Sequence, residues 1–340
     1  MASTAETIQD YVANYELPDY ADVTGVPTVT YGSGRTQDEY GTTYLDRWEM
    51  NDEHGTGYKV LRCMAANPRS DVWVLKDTAW STQVHGLNTD IARQLMKIGF
   101  NVLIKGPEEG SSLPLSQSSY NTHVLASAYE DLGDLDASLV AFEGYSRGAM
   151  LAFGSNAYAR RFGREALLSN LTDPCVGRKI KLNPPDEETL KKAVTLPVDL
   201  GLLGVAVLKG LSANPVRGMH LAKTIDVSPR GAVQFVRTGA PLMTGESGMM
   251  AAHTPLDMKA TIAFFRRCRV NDADLYEAIF ADRPNVRIVR PEGGHGGGID
   301  RRIIGNMAVR FGRLADQLEE QRRPEEIDYS KILRSTPVAA

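Results

Sequence analysis

Ser146 stands between two glycines in Gly144-Tyr145-Ser146-Arg147-Gly148, a stretch that begins one residue after the apolar run "LVAF". A serine hydroxyl is a poor nucleophile on its own. It becomes a good one when a histidine takes its proton and an acid orients that histidine. The chain supplies such a histidine late in its length: His295 in "PEGGHGGG", where the surrounding glycines let the backbone fold back on itself. Covalent acyl chemistry is the reaction these residue types point to. The pentapeptide alone is a weak signal in a glycine-rich chain, so its weight comes from the elements that flank it.

Those elements read clearly. "SLVAFEG" predicts a strand and "RGAMLAFGSNAYARRFG" a helix, so Ser146 falls on the turn between them. A turn this tight has no room for a β-carbon at 144 or 148. It lifts the hydroxyl above the carboxyl edge of a sheet and puts the Arg147 N–H at a helix N-terminus, ready to donate to an oxyanion. "NVRIVR" predicts a strand that ends just before the His295 loop, and "GNMAVRFGRLADQLEEQRR" predicts a closing helix.

The rest of the chain fits the same architecture. "DVWVLKD", "NVLIKG" and "EALLSNL" read as buried strands, and "LNTDIARQLMKIGF" and "NTHVLASAYEDLG" read as helices between them. Upstream, "TTYLDRWEM" and "YKVLRCMAA" flank the turn-rich "NDEHGTG" and predict an antiparallel hairpin. "APLMTGESG" resumes the alternation, and "TPLDMKATIAFFRRC" and "DADLYEAIFAD" read as helices. The predicted fold class is α/β: a mostly parallel sheet with an antiparallel N-terminal hairpin and helices on both faces. Residues 1–38 read as an extension with a short strand near "TVTY", 39–173 and 239–323 as the core, 174–238 as a helical insertion, and 324–340 as a loosely held polar tail.

The elbow GYSRG, the late histidine in GGHG and the inserted helices together resemble the α/β-hydrolase superfamily over about residues 40–320. The resemblance implies an α/β-hydrolase fold with a helical cap at 174–238 and a triad in the order serine, acid, histidine. It implies neither a metal nor an organic cofactor. The family commonly carries the acid in the turn after the strand preceding the histidine-bearing strand, often as G-x-x-D. Here that turn reads Gly245-Glu246-Ser247-Gly248, with Gly248 at the usual aspartate position, so Glu246 is the first choice. Asp257 and Asp173 are the alternatives. The second oxyanion donor falls in the loop after "DVWVL", at Thr78 or Ala79, alongside Arg147. Tyr145, Trp80, Met249 and Met250 are the candidate pocket residues.

This reading predicts a cofactor-independent serine hydrolase acting on a small-molecule ester or thioester, in the manner of a carboxylesterase, lipase or thioesterase. An acyltransferase on the same triad and a non-catalytic binding protein of the same fold remain alternatives. A net charge of −4 and the absence of a long basic block argue against a nucleic-acid partner. Three scattered cysteines and histidines without ligand spacing suggest reduced thiols and no metal site. The N-terminus lacks the basic and apolar regions of a signal peptide, and "LPVDLGLLGVAVLKG" is too short and interrupted to span a bilayer. A cytoplasmic protein without stable membrane insertion is expected, with transient lipid contact open to the apolar cap. Oligomeric state is left open.

Overall fold

The computed structural model describes residues 28–49, 57–77, 87–107, 139–159, 163–174, 251, 253–266, 273–292, 301–320 and 326–333. Nine strands form one sheet in the order β1-β2-β3-β5-β4-β6-β7-β8-β9. β1 (Thr28–Asp38), β2 (Gly41–Glu49) and β3 (Gly57–Ala65) are antiparallel neighbours, and β3 also pairs antiparallel with β5 (Asn101–Pro107). β4 (Trp73–Asp77), β5, β6 (Leu139–Tyr145), β7 (Glu165–Thr172), β8 (Ala260–Ala263) and β9 (Val286–Val289) all run parallel.

β4 has β5 on one side and β6 on the other. The strand order reverses there, and the carboxyl ends of β4 and β6 mark the position where open α/β sheets hold ligands. Side chains alternate between two apolar layers. Val74, Val102, Ile104 and Ala141 face α1 (Leu87–Lys97) and α4 (Arg301–Glu319). Leu75, Leu103, Val140 and Phe142 face α2 (Arg147–Ala159) and α3 (Ala273–Ile279). Aromatic contacts join α2 to α3, with the Phe153 and Tyr276 rings 5.7 Å apart, and the Tyr276 ring lies 4.9 Å from Phe264.

The hairpin, α1 and the alternating strands lie where the sequence pattern puts them. Three differences have physical causes. β1 extends from residue 28 to 38 and hydrogen-bonds to β2, so this part of the predicted extension belongs to the sheet. "TPLDMKATIAFFRRC", predicted as a helix, contains β8 instead. Ala260, Thr261, Ile262 and Ala263 are all buried, and a strand covered on both faces loses the alternation that would mark it in sequence.

The predicted loose tail is also docked in part. α5 (Tyr329–Leu333) packs Ile332 and Leu333, with Ile327 just before it, into the layer shared with α1 and α4. Arg313 donates to the Lys331 carbonyl at 2.7 Å, and the Lys259 ammonium lies 4.5 Å from the centre of the Tyr329 ring. Among the described residues no helix is long and apolar enough to cross a membrane. The insertion at 174–238 lies outside the described residues from 175 onward.

Docking of the tail predicts that Ile332→Ala lowers the unfolding free energy by about 2–5 kcal/mol, the usual loss for a buried isoleucine. Urea titration at constant m-value measures it. A change within about 0.5 kcal/mol, typical of an exposed site, contradicts the docked tail.

Candidate active site

β6 ends at Tyr145 and α2 begins at Arg147, so Ser146 alone makes the turn. Its φ is 56°, in the left-handed region that a non-glycine residue occupies at a cost of about 1–2 kcal/mol. Three contacts hold it there. The Ser146 N–H donates to the Thr172 carbonyl at 2.9 Å, and the Ser146 carbonyl accepts from the Ala149 N–H at 3.1 Å. The third is steric: a β-carbon on Gly144 would lie 2.6 Å from the Ala149 Cα and 2.8 Å from its nitrogen. Helix and strand approach this closely only over a glycine. The Arg147 N–H lies in the first turn of α2, which carries no acidic residue to compete with an anion at its positive end.

Strand register defines the rim around this turn. Tyr145, Thr172, Ala263 and Val289 lie in one row across β6 to β9. One step beyond them stand Ser146, Asp173, Phe264 and Arg290. On the other side, Leu75 pairs with Phe142, so β4 ends at Asp77 level with Gly144. Asp77 is the last described residue of this strand, and Thr78, Ala79 and Trp80 lie outside the described residues.

The acid candidates separate on this geometry. Asp173 is fully buried at the rim on the strand next to Ser146, with φ 50°, and its carboxylate accepts from the Phe265 N–H at 3.2 Å. Asp257 is exposed in the turn that leads into β8, at the amino end of the strand and so at the edge opposite Ser146. Glu246 lies outside the described residues, as do Met249, Met250 and His295.

The strand paired with β9, which leads to His295, is β8 and not "APLMTGESG". Counted by the pattern of the family that the sequence resembles, the acid position falls in the connection after β8. Residues 267–272 lie in it, outside the described residues, and they contain one carboxylate, Asp272. The helical pattern over β8 conceals this candidate in the sequence. Asp274, two residues on, is bound by Arg290 at 2.6 Å on the exposed side of α3. The start of the His295 loop is pinned to β8, because the Arg266 N–H donates to the Pro291 carbonyl at 3.0 Å and the Arg266 guanidinium meets Glu292 at 3.3 Å.

Charge also lies behind the elbow, where sequence reasoning places none. Glu143, three residues before Ser146, is buried on the α4 side of the sheet. Burial pushes its carboxyl above the ordinary range, against the pull of Lys76 and the Asn170 amide. Its position on β6 is visible in the sequence, but its partners emerge only from the register. Among the described residues no group of three or more metal-ligating side chains gathers.

Relief of the left-handed φ predicts that Ser146→Gly is more stable than Ser146→Ala by about 1 kcal/mol, since both lose the same hydroxyl. Denaturant unfolding of the two variants measures the difference, and equal stabilities contradict a strained turn. Gly144→Ala is expected to destabilise by about 1–3 kcal/mol through overpacking against the α2 backbone.

No known family model matches the chain, and no curated protein matches it in sequence. Solved structures do. A hydrolase from Pseudomonas aeruginosa PA01 superposes with a TM-score of 0.52 at 17% identity, covering 76% of this chain and 95% of that one. The enol-lactonase from Burkholderia xenovorans LB400 gives 0.50 at 13% identity, with 78% and 95% covered. The thioesterase domain from the curacin biosynthetic pathway gives 0.50 at 13% identity, with 78% and 99% covered. With the strand order and the elbow at β6, these likenesses identify the architecture: the chain has the α/β-hydrolase fold.

Proposed function

We propose that the protein is a serine hydrolase that cleaves a small-molecule carboxylic ester or thioester through an acyl-enzyme on Ser146. The observation that carries this reading is the left-handed φ of Ser146 at the β6–α2 turn. Such strain persists only where the surroundings enforce it, and it clusters at functional sites. The hydrolase, lactonase and thioesterase among the structural neighbours support acyl transfer to water as the reaction class.

In the proposed reaction the Ser146 Oγ attacks the carbonyl carbon while the His295 imidazole takes its proton. The oxyanion accepts from the Arg147 N–H and from a backbone N–H at Thr78 or Ala79. Each such donor lowers the barrier by about 3–4 kcal/mol. The tetrahedral adduct collapses, the C–O or C–S bond breaks, and the imidazolium protonates the leaving alcohol or thiol. Water then attacks the acyl-enzyme by the same steps in reverse roles. Tyr145, Trp80, Met249 and Met250 are proposed to line the acyl pocket, under a cap formed by 174–238.

Reach supports His295. Three strand spacings separate β9 from β6, about 14 Å. His295 follows Glu292, the last described residue of that connection, by three positions, which span up to about 10 Å of chain. The two side chains cover the remainder. Asp272 is proposed as the acid, because it lies in the connection that leaves β8, the strand between β7 and the β9 that leads to His295. Asp173 is the second reading, favoured by its complete burial at the rim.

Labelling with a fluorophosphonate probe tests the proposal. Ser146→Ala abolishes labelling, and His295→Ala slows it by about 10²–10⁴-fold. Asp272→Asn slows it strongly and Asp173→Asn little. Undiminished labelling of Ser146→Ala moves the nucleophile elsewhere, and an unlabelled wild type favours a non-catalytic binding protein. The reverse ranking of the two aspartates moves the acid to the end of β7.

A further inference from the structure

A row of polar side chains crosses the sheet three residues behind Ser146, on the face covered by α4. Lys76 on β4 stands level with Glu143 on β6, and Glu143 pairs in register with Asn170 on β7. The Lys76 Nζ lies 3.8 Å from one Glu143 oxygen, and the Asn170 Nδ2 donates to the other at 2.7 Å. The Asn170 Oδ1 in turn accepts from the Arg310 guanidinium on α4. Each end of the Asn170 amide is therefore committed to one partner, which gives the chain of bonds a direction from helix to nucleophile strand. All four side chains are buried: Lys76 is 4% exposed, Glu143 4%, Asn170 2% and Arg310 7%.

Apolar residues could hold α4 equally well, and Met307, Phe311 and Leu314 already do so on either side of Arg310. Burying charged groups here is costly, and an apolar replacement of a buried ion pair is often neutral or stabilising. What directional bonds add is register. The apolar contacts tolerate sliding of a helix along the sheet, whereas the guanidinium–amide–carboxylate chain is satisfied at one position only. Burial pushes the Arg310 guanidinium down to about 10, and Glu143 holds it up. Arg287 on β9 and Arg313 on α4 also press on Arg310 with like charge.

α4 begins at Arg301, six residues after His295, and Arg310 sits about 13 Å down the helix from that start. Glu143 is three residues before Ser146 on β6. We propose that Arg310 and Glu143 are positioning residues: linked through Asn170, they fix the helix that follows the His295 loop against the strand that carries Ser146, and so set the spacing of base and nucleophile. This rests on the reading of Ser146 and His295 given above. Displacement of reacting groups by about 1 Å can cost 10²-fold in rate, so a small slip of α4 is sufficient to matter.

The test compares wild type, Arg310→Met, Glu143→Met and the double variant, with urea unfolding of each as a structural control. The readouts are the rate of Ser146 labelling by a fluorophosphonate, and kcat and KM on p-nitrophenyl butyrate. The inference expects each single variant to unfold cooperatively, to lose about 10–100-fold in labelling rate and in kcat, and to keep KM within about twofold. The double variant loses no more than the worse single, because both break one connection. Glu143→Met keeps a similar volume, removes the acceptor of the Asn170 amide, and gives the same readouts if Arg310→Met folds poorly. Wild-type rates in a folded Glu143→Met, or losses that simply track the unfolded fraction, overturn the positioning role. A wild type unlabelled at Ser146 overturns the catalytic reading and this inference together.

Discussion

The structure depends on a backbone forced into a conformation it would not choose. Ser146 is held in the left-handed region because β6, β7 and α2 leave it no alternative. The Thr172 carbonyl takes its N–H, the first turn of α2 takes its carbonyl, and the missing side chain of Gly144 lets α2 come down onto the strand. The strain is sustained by burial on both sides of β6. Val140 and Phe142 enter the layer under α2 and α3, while Ala141 enters the layer under α1 and α4. A loosened core would let the turn relax to an ordinary φ and withdraw the hydroxyl from the rim.

Much of this is legible in the sequence, for identifiable reasons. The strand that leads to Ser146 is largely apolar, the helix after it carries the small residues Gly148 and Ala149 in its first turn, and Gly144 near the end of the strand has a steric purpose. The antiparallel hairpin shows itself by its turn residues, and α1 by helical spacing that ends at Gly99, whose φ is 91°. β8 does not show itself. Its four buried residues carry no period, so the apolar spacing around them reads as a helix. The family pattern counts strands back from the histidine, so the assignment of β8 decides which carboxylate the pattern proposes. Moved to the connection after β8, the pattern meets Asp272 in place of Glu246.

The row behind the elbow was illegible for a different reason. Lys76, Glu143, Asn170 and Arg310 come from four separate elements, and only register brings them together. In sequence they are polar residues in four separate segments, with nothing local to link them. The same holds for the tail, where Ile327, Ile332 and Leu333 are too few to outweigh a polar composition. Local pattern conveys elements; it does not convey pairings that form only after the sheet is assembled.

The proposed acyl-enzyme is the species on which the functional account turns, and intact mass tests for it directly. Intact-mass measurement after rapid mixing with p-nitrophenyl butyrate and acid quench, followed by peptide mapping, locates any acyl group on the chain. The account predicts one butyryl group per molecule, on the peptide that contains Ser146, and none in Ser146→Ala. Ester turnover with the acyl group on a different peptide, or undiminished turnover in Ser146→Ala, contradicts it.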